Sequence, residues 1–330
     1  MTKVFNNPYW TPFHFQQQLN SSDRLFFSSY GHISVVDITN GITNNTFSHS
    51  TVVAGHKQHS GYIEGVGSAA RFRRITGFDQ NGTHIIAVDS GNHCIRTINI
   101  KSKETKALAG TCCLAGYSDG PATDALFNSP QSIIKIKEAG LNGYRYLIAD
   151  KDNSAIRMLT SHEAKLETFI RDAENLNEPT DLAMDQHGAN LYVTTASGLI
   201  QIKITTKEIT TVESVNQKSY KISLFAANLF LISYENSGML TVFNATNNSI
   251  KQKCPSTEEG CQLISDDSVA KCQISSPYSL YSAHWLNTGS KLNSTIIIGG
   301  VFSILTMSVK CEYSFIYSIP IFEFTCLVKI

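Results

Sequence analysis

Apolar positions along this chain fall in short runs separated by polar turns, and the runs recur in pairs. The clearest pairs are "HIIAVDSGNHCIRTI" from His84 and "RYLIADKDNSAIRML" from Arg145, in which Asp89, Asn92, Ile95 and Arg96 match Asp150, Asn153, Ile156 and Arg157. Each pair predicts two β-strands around a tight turn. Asp and Asn suit that turn because their short side chains bond nearby backbone amides and tolerate left-handed dihedrals. Looser copies begin at Arg24, Asn190, Asn228 and Thr295, which makes six. A lead-in strand precedes most hairpins, visible as "FRRITGF" from Phe72, "FNSPQSI" from Phe127, "LNEPTDL" from Leu176 and "ISSPYSL" from Ile274; the spacings of 55, 49 and 98 residues leave room for one degenerate copy near Lys218. A further β-prone run follows each hairpin. The predicted unit is therefore four strands in about fifty residues, the period of a propeller blade. The long apolar run "STIIIGGVFSILTMSV" falls in this register as the sixth hairpin, and it is shorter than the roughly 20 residues of a membrane helix.

The connections repeat as well. "AGHKQHSGYIEGVGSAARF" from Ala54 and "AGTCCLAGYSDGPATDALF" from Ala109 align without a gap, so that Tyr62 matches Tyr117, Glu64 matches Asp119 and Phe72 matches Phe127. The loop "AGYSDGPATDALFNSP" followed by "YLIADKDNSAIRML" resembles the NHL-repeat family, whose blades pair a Gly-Asp-Gly loop and a Phe-x-x-Pro lead-in with an Asp-x-x-Asn-x-x-Ile-Arg hairpin. The motifs are specific over residues 54–160. Elsewhere only spacing and apolar pattern remain: the Asp position holds Ser28, Thr194 and Gly299, and the Arg position holds Ser34, Gln201, Thr241 and Thr306. The resemblance implies an all-β fold, a six-bladed β-propeller of four-stranded antiparallel blades. Residues 1–330 would form one domain, with the N-terminal and C-terminal segments contributing to ring closure. The expected closure places Lys3 to Asn6 beside Ser314 to Ser318. An activity is not implied, because members of the family include enzymes, RNA-binding modules and adhesive domains.

Charge narrows the partners. Lys plus Arg and Asp plus Glu are 27 each, so nothing draws the chain toward nucleic acid or an anionic membrane, and no membrane span is expected. Eight cysteines without a Cys-x-x-Cys spacing argue against a metal cluster and allow disulfides. Cys254, Cys261 and Cys272 share one interblade connection and are the disulfide candidates, whereas Cys94, which stands where the sister hairpin has Ala155, reads as a small buried residue. Sequons at Asn20, Asn44, Asn81, Asn244, Asn247 and Asn293 fit an extracellular or cell-surface glycoprotein. The start "MTKVFNNPYWTPFHF" has no apolar signal run, which leaves the cytosol as the other compartment.

Strand parity puts the turns at residues 89–93 and 150–154 on the same face as the long loops 56–71 and 111–126. That upper face is the expected binding surface. Its ligand-binding candidates are Tyr62, Glu64, Asp89, Asn92, His93, Arg96, Tyr117, Asp119, Asp150, Asn153 and Arg157, set against a structural reading in which the loop residues tie loop to blade and the two arginines pair with turn carboxylates. No histidine recurs at one hairpin position, no catalytic constellation appears, and neither metal nor cofactor is expected. The leading expectation is a non-catalytic propeller that binds a protein or glycan partner as part of a larger molecule. A metal-dependent lyase or hydrolase is the first alternative, and an RNA-binding NHL module the second.

Overall fold

A computed structural model describes the chain path of residues 2–6, 14–17, 24–39, 49–136, 143–214, 219–226, 229–234, 240–245, 249–253, 262–263, 270–271, 280–290, 293–300, 303–313 and 324–329. Side chains are described mainly for residues 24–39, 49–136 and 143–212. The fold is an all-β propeller. Four consecutive antiparallel sheets run through the region described in side-chain detail. The first comprises His14–Gln17, Arg24–Ser29, His32–Asp37 and Thr51–Gly55. The second comprises Ile75–Gln80, His84–Asp89, Cys94–Asn99 and Glu104–Ala109. The third comprises Pro130–Ile136, Arg145–Asp150, Ala155–Thr160 and Lys165–Arg171. The fourth comprises Asp181–Met184, Asn190–Thr195, Gly198–Lys203 and Ile209–Ser214.

Four strands per blade is not uniform. Gly65–Val66 adds to the outer edge of the second sheet beside Glu104 and Thr105, and Gly120–Pro121 does the same on the third beside Leu166 and Lys165. The reason is local: each Gly-rich loop runs along the blade it precedes and covers an edge that would otherwise present unpaired backbone groups.

Two further sheets follow. Ser219–Ala226, Leu229–Tyr234, Leu240–Asn244 and Ser249–Lys253 form one, which includes the degenerate copy expected near Lys218. The other contains Leu280–Ser290, Asn293–Gly300 and Ser303–Tyr313. The apolar run after Asn293 is thus a hairpin, and no helix of the described residues is long and apolar enough to cross a membrane. Thr2–Asn6 pairs with Ser303 to Thr306 rather than with residues 314–318, which lie outside the described residues, and Phe324–Lys329 pairs along Ser308 to Tyr313.

Strand parity explains the continuous apolar runs. In His84–Asp89, Ile85 and Ala87 pack with Phe26, Ile33, Val53, Phe72 and Phe78 toward the first sheet, while Ile86 and Val88 pack with Ile133, Tyr146, Ile148 and Phe127 toward the third. One strand later, Leu147 and Ala149 face Leu182, Leu191 and Val193 of the fourth sheet. Both faces of each blade are covered by neighbours, so both parities must be apolar, unlike a sheet with one wet face. Truncating such a residue, for example Phe127 at 0% exposure, would cost about 3 to 5 kcal/mol. Tyr192 continues the stacking toward the next sheet, 4.6 Å from Phe230 and 5.4 Å from Phe243 between ring centroids. Lys221, nearly buried, reaches from that sheet to the Thr76 carbonyl of the second, 3.1 Å away, and lies 3.5 Å from Asp181 of the fourth.

Candidate binding face

Each hairpin turn folds the same way. Asp89 leads into a 3-10 turn over Ser90–Asn92 that ends on His93 in the left-handed region, and Asp150 leads into Lys151–Asn153 with Ser154 left-handed. The turn closes on itself through its Asn: Asn92 Nδ2 donates to Asp89 Oδ2 at 2.7 Å, and Asn153 Nδ2 donates to Asp150 Oδ2 at 2.8 Å. The same amide groups also donate outward, to the carbonyls of Gly61 at 2.9 Å and Gly116 at 2.8 Å in the Gly-rich loops. The second carboxylate oxygen of each Asp accepts from the lead-in backbone, from Arg73 and Arg74 in one blade and Asn128 in the other.

An arginine completes each latch. Arg157 Nη1 donates to Asp150 Oδ2 and to the Leu126 carbonyl, both at 2.9 Å; its Nη2 donates to the Ser118 carbonyl at 2.8 Å and to Asp119 Oδ1. Its guanidinium lies over the rings of Tyr117 and Phe127, 4.8 and 5.5 Å from their centroids. Arg96 repeats the arrangement with longer bonds, 3.4 Å to Asp89, 3.4 Å to the Arg71 carbonyl and 3.2 Å to the Ile63 carbonyl, beneath Tyr62 and Phe72. The loop acids go to the outer strand: Glu64 accepts from Ala107 N at 2.7 Å, and Asp119 accepts from Thr168 N and Oγ1 at 3.0 Å each. The Tyr117 hydroxyl shares a 2.7 Å bond with Thr168 Oγ1.

Burial sets the electrostatics. It pushes the Asp150 carboxyl up to about 6 against the opposing bonds from Asn153, Asn128 and Arg157, and it raises Asp89 likewise. Burial also pushes Asp119 upward, but the Thr168 backbone N–H and the Arg157 guanidinium outweigh it and hold that carboxyl below the usual range. Burial lowers His93, consistent with its Nδ1 accepting a 3.0 Å bond from Ser129 N.

The expected candidates therefore separate into two groups. Asp89, Asn92, Arg96, Asp150, Asn153 and Arg157 sit beneath the loops, each at 8% exposure or less, with polar groups directed to intramolecular partners. Tyr62, Glu64, Tyr117 and Asp119 are open at the surface and His93 is half-buried. Contacts between turns and loops put them on one face: Cys113 N donates to the Asn92 carbonyl, and Ile75 N to the Tyr30 carbonyl of the first hairpin turn. Tyr30, Ile63 and Leu114 belong to the same turns and loops and are 50 to 52% exposed. Sequence reasoning passed over these three. The available signal was their apolar character inside otherwise polar loops, at positions where the two loop copies differ: Ile63 aligns with Ser118, and Leu114 with His59.

Cysteine usage needs correction. Cys94 is fully buried, but it is joined to Cys112 by a disulfide. Antiparallel pairing sets Ile95 opposite Ala109, so Cys94 lies beside the first residues of the following loop. The link ties the hairpin to the loop crossing over it. Cys113 is free and exposed. Cys254, Cys261 and Cys272 lie outside the described residues.

No family model matches the chain. Among characterised proteins, the chain is similar to NHL repeat-containing protein 2 of Bos taurus, 31% identical over 111 residues, which is 33% of this chain and 15% of that protein. The Homo sapiens protein of that name is 29% identical over 101 residues, 30% of this chain and 13% of that protein. The match thus spans a small part of these relatives. Among solved structures, a chain of the streptogramin B lyase structure superposes with a TM-score of 0.55 at 12% identity, covering 92% of this chain and 95% of its own. A chain of the nidogen/laminin complex gives 0.54 at 11%, covering 73% and 79%. Fold and sequence likeness agree with the motifs: the chain is a β-propeller that resembles NHL-repeat proteins.

Proposed function

We propose that this chain is a non-catalytic interaction propeller whose upper face binds a protein or glycan partner, within a larger extracellular or cell-surface molecule. The observation that carries the reading is the placement of apolar surface. Of the seven large hydrophobic residues exposed among the described ones, Tyr30, Tyr62, Ile63, Leu114 and Tyr117 belong to the turns and loops of that face, whereas Val66, paired beside Glu104 at the far end of the outer strand, and Tyr144 do not. Apolar side chains gathered at one end of a domain, over a rigid base and among polar neighbours, are the usual composition of a recognition surface. The latches support it, because a loop fixed by one buried arginine presents its tip with little entropy left to lose on binding. The disulfide supports an oxidising compartment. The nidogen/laminin neighbour lends the fold, not a partner.

The reading includes six blades closing one ring. Its support is that His14–Gln17 lies against both Ile75–Gln80 and Leu280–Ser290, while the first strands of the intervening sheets touch in succession. Thr2–Asn6 pairing with Ser303 to Thr306 adds a second join.

The test is an array of extracellular proteins and glycans probed with the full chain, the triple variant Tyr30→Ser/Ile63→Ser/Leu114→Ser and the control Tyr144→Ser. A ligand bound by the full chain and the control but lost by the triple variant at unchanged thermal midpoint is expected. A ligand held equally by the triple variant would refute the face, and metal-dependent turnover of any lyase or hydrolase substrate would replace the reading with the enzymatic one.

A further inference from the structure

We propose that Cys311 and Cys326 are joined by a disulfide that staples Phe324–Lys329 onto the last sheet. The register carries it: in the antiparallel pairing of Ser303–Tyr313 with Phe324–Lys329, Cys311 stands directly opposite Cys326, flanked by Lys310 opposite Leu327 and Glu312 opposite Thr325. Directly opposed residues of antiparallel strands have Cα atoms about 4.5 to 5.5 Å apart and share a face, and disulfides bridge Cα separations of about 4.4 to 6.8 Å. A one-residue change of register would put the two cysteines on opposite faces. The chain already carries one disulfide, Cys94–Cys112, so the state in which this sheet would be oxidised is that of the folded protein.

The position gives the staple a purpose. Ser303–Tyr313 holds two segments along a single edge, Thr2–Asn6 beside its first residues and Phe324–Lys329 beside its last. Each contributes a short stretch of ladder, and short paired strands without other support are marginal. A covalent bond in the middle of the second stretch keeps it in register and leaves the first to complete the edge. Formation is a two-electron oxidation. The thiolate of one cysteine displaces a thiol from a small-molecule or protein disulfide, and the second thiolate then attacks the mixed disulfide, so two protein thiols and one external disulfide become one protein disulfide and two external thiols.

The test does not depend on the binding reading. The full chain is refolded with oxidised glutathione, and molecules with Cys94–Cys112 intact are alkylated in denaturant without reduction. Trypsin cuts after Lys310 and Lys329 and releases residues 311–329 as one peptide. Cleavage after Glu312 and Glu323 then severs the chain between the two cysteines. Loss of alkylation at both, with the two cysteine fragments travelling together until reduced, is the expected result. Each single variant, Cys311→Ser or Cys326→Ser, should expose the other cysteine to alkylation. An alkylated Cys311 or Cys326 in the unsubstituted chain, or either one linked to Cys254, Cys261 or Cys272, overturns the proposal.

Discussion

Replacing Arg157 with Ala removes the centre of one latch while leaving its repeat in the preceding blade as an internal control. The loss has four parts: a 2.9 Å contact with a fully buried carboxylate, the ion pair with Asp119, donors to the Leu126 and Ser118 carbonyls, and the cation over Tyr117. Summing these would overcount, because water partly replaces whatever opens. The relevant scale is that of breaking a buried ion pair from one side, about 3 to 5 kcal/mol. Arg96→Ala should cost less, because its contacts with Asp89 and Arg71 are both 3.4 Å and hydrogen bonds of that length are weak. The pH dependence has a defined sign. The folded-state carboxyl of Asp150 already titrates near 6, above its unfolded value, so its ionisation opposes folding as pH rises through that region; without the guanidinium the folded value rises further. Arg157→Ala should therefore lose more stability at pH 8 than at pH 5, and Asp150→Asn added to it should recover part of the loss. Urea unfolding of the four chains at both pH values measures this, with hydrogen exchange over residues 116–127 reporting loop release. A loss under about 1 kcal/mol, equal losses for the two arginines, or a larger loss at pH 5 would refute the latch.

Burial lowers His32 from 6.5 to about 4, so its contribution is present above pH 6.5 and is lost as pH falls toward 4; wild type should lose about 3 kcal/mol more than His32→Gln over that window, and parallel curves would contradict it. Gly110 has φ +86° and a Cβ there would meet Phe127 at 2.8 Å and the His93 carbonyl at 2.9 Å, whereas Gly120 at φ +140° has nothing within 4 Å. Gly110→Ala should thus cost clearly more than Gly120→Ala, which bears backbone strain of about 1 to 3 kcal/mol alone; equal denaturation midpoints would refute the contact argument. Removing the Cys94–Cys112 link, which spans 18 residues, by Cys94→Ala/Cys112→Ser should cost about 3 kcal/mol in the loop-entropy account, and a change under 1 kcal/mol would show that the unfolded chain gains little freedom.

The propeller was legible because its period is written twice over, in hairpins and in loops. Runs such as "HIIAVD" and "RYLIAD" are apolar at both parities, which only a sheet covered on both faces tolerates, and the Asp and Asn that follow encode the turn chemically. The fifth strands were not legible. Gly65–Val66 and Gly120–Pro121 are two residues each, too short to show a period, and they exist because of where the loop crosses rather than what it contains. The Cys94–Cys112 bond was hidden for a related reason: comparison with Ala155 measured the size of the site, whereas the partner is set by the register of the next strand. The pairing partner of Thr2–Asn6 was displaced from the expected one because Ser303–Tyr313 is 11 residues long, longer than any repeat suggested, and offers its edge to two segments.

The division of the candidate residues follows from the same physics. A motif residue that recurs in matched blades has recurrent work to do, and here that work is to satisfy backbone groups of a glycine-rich loop whose own ladder pairing is only two residues long. Arg157 donates to the carbonyls of Leu126 and Ser118, and Asn153 to that of Gly116; Arg96 and Asn92 do the same for Arg71, Ile63 and Gly61. Side chains used in this way are withdrawn from solvent, since buried donors must keep their acceptors. On the proposed reading, recognition falls to positions the repeat leaves unconstrained. Ile63 and Leu114 differ between the two loop copies and are about half exposed, and no loop carbonyl depends on their side chains, so exchanging them for serine should change what the face contacts while leaving the latches in place.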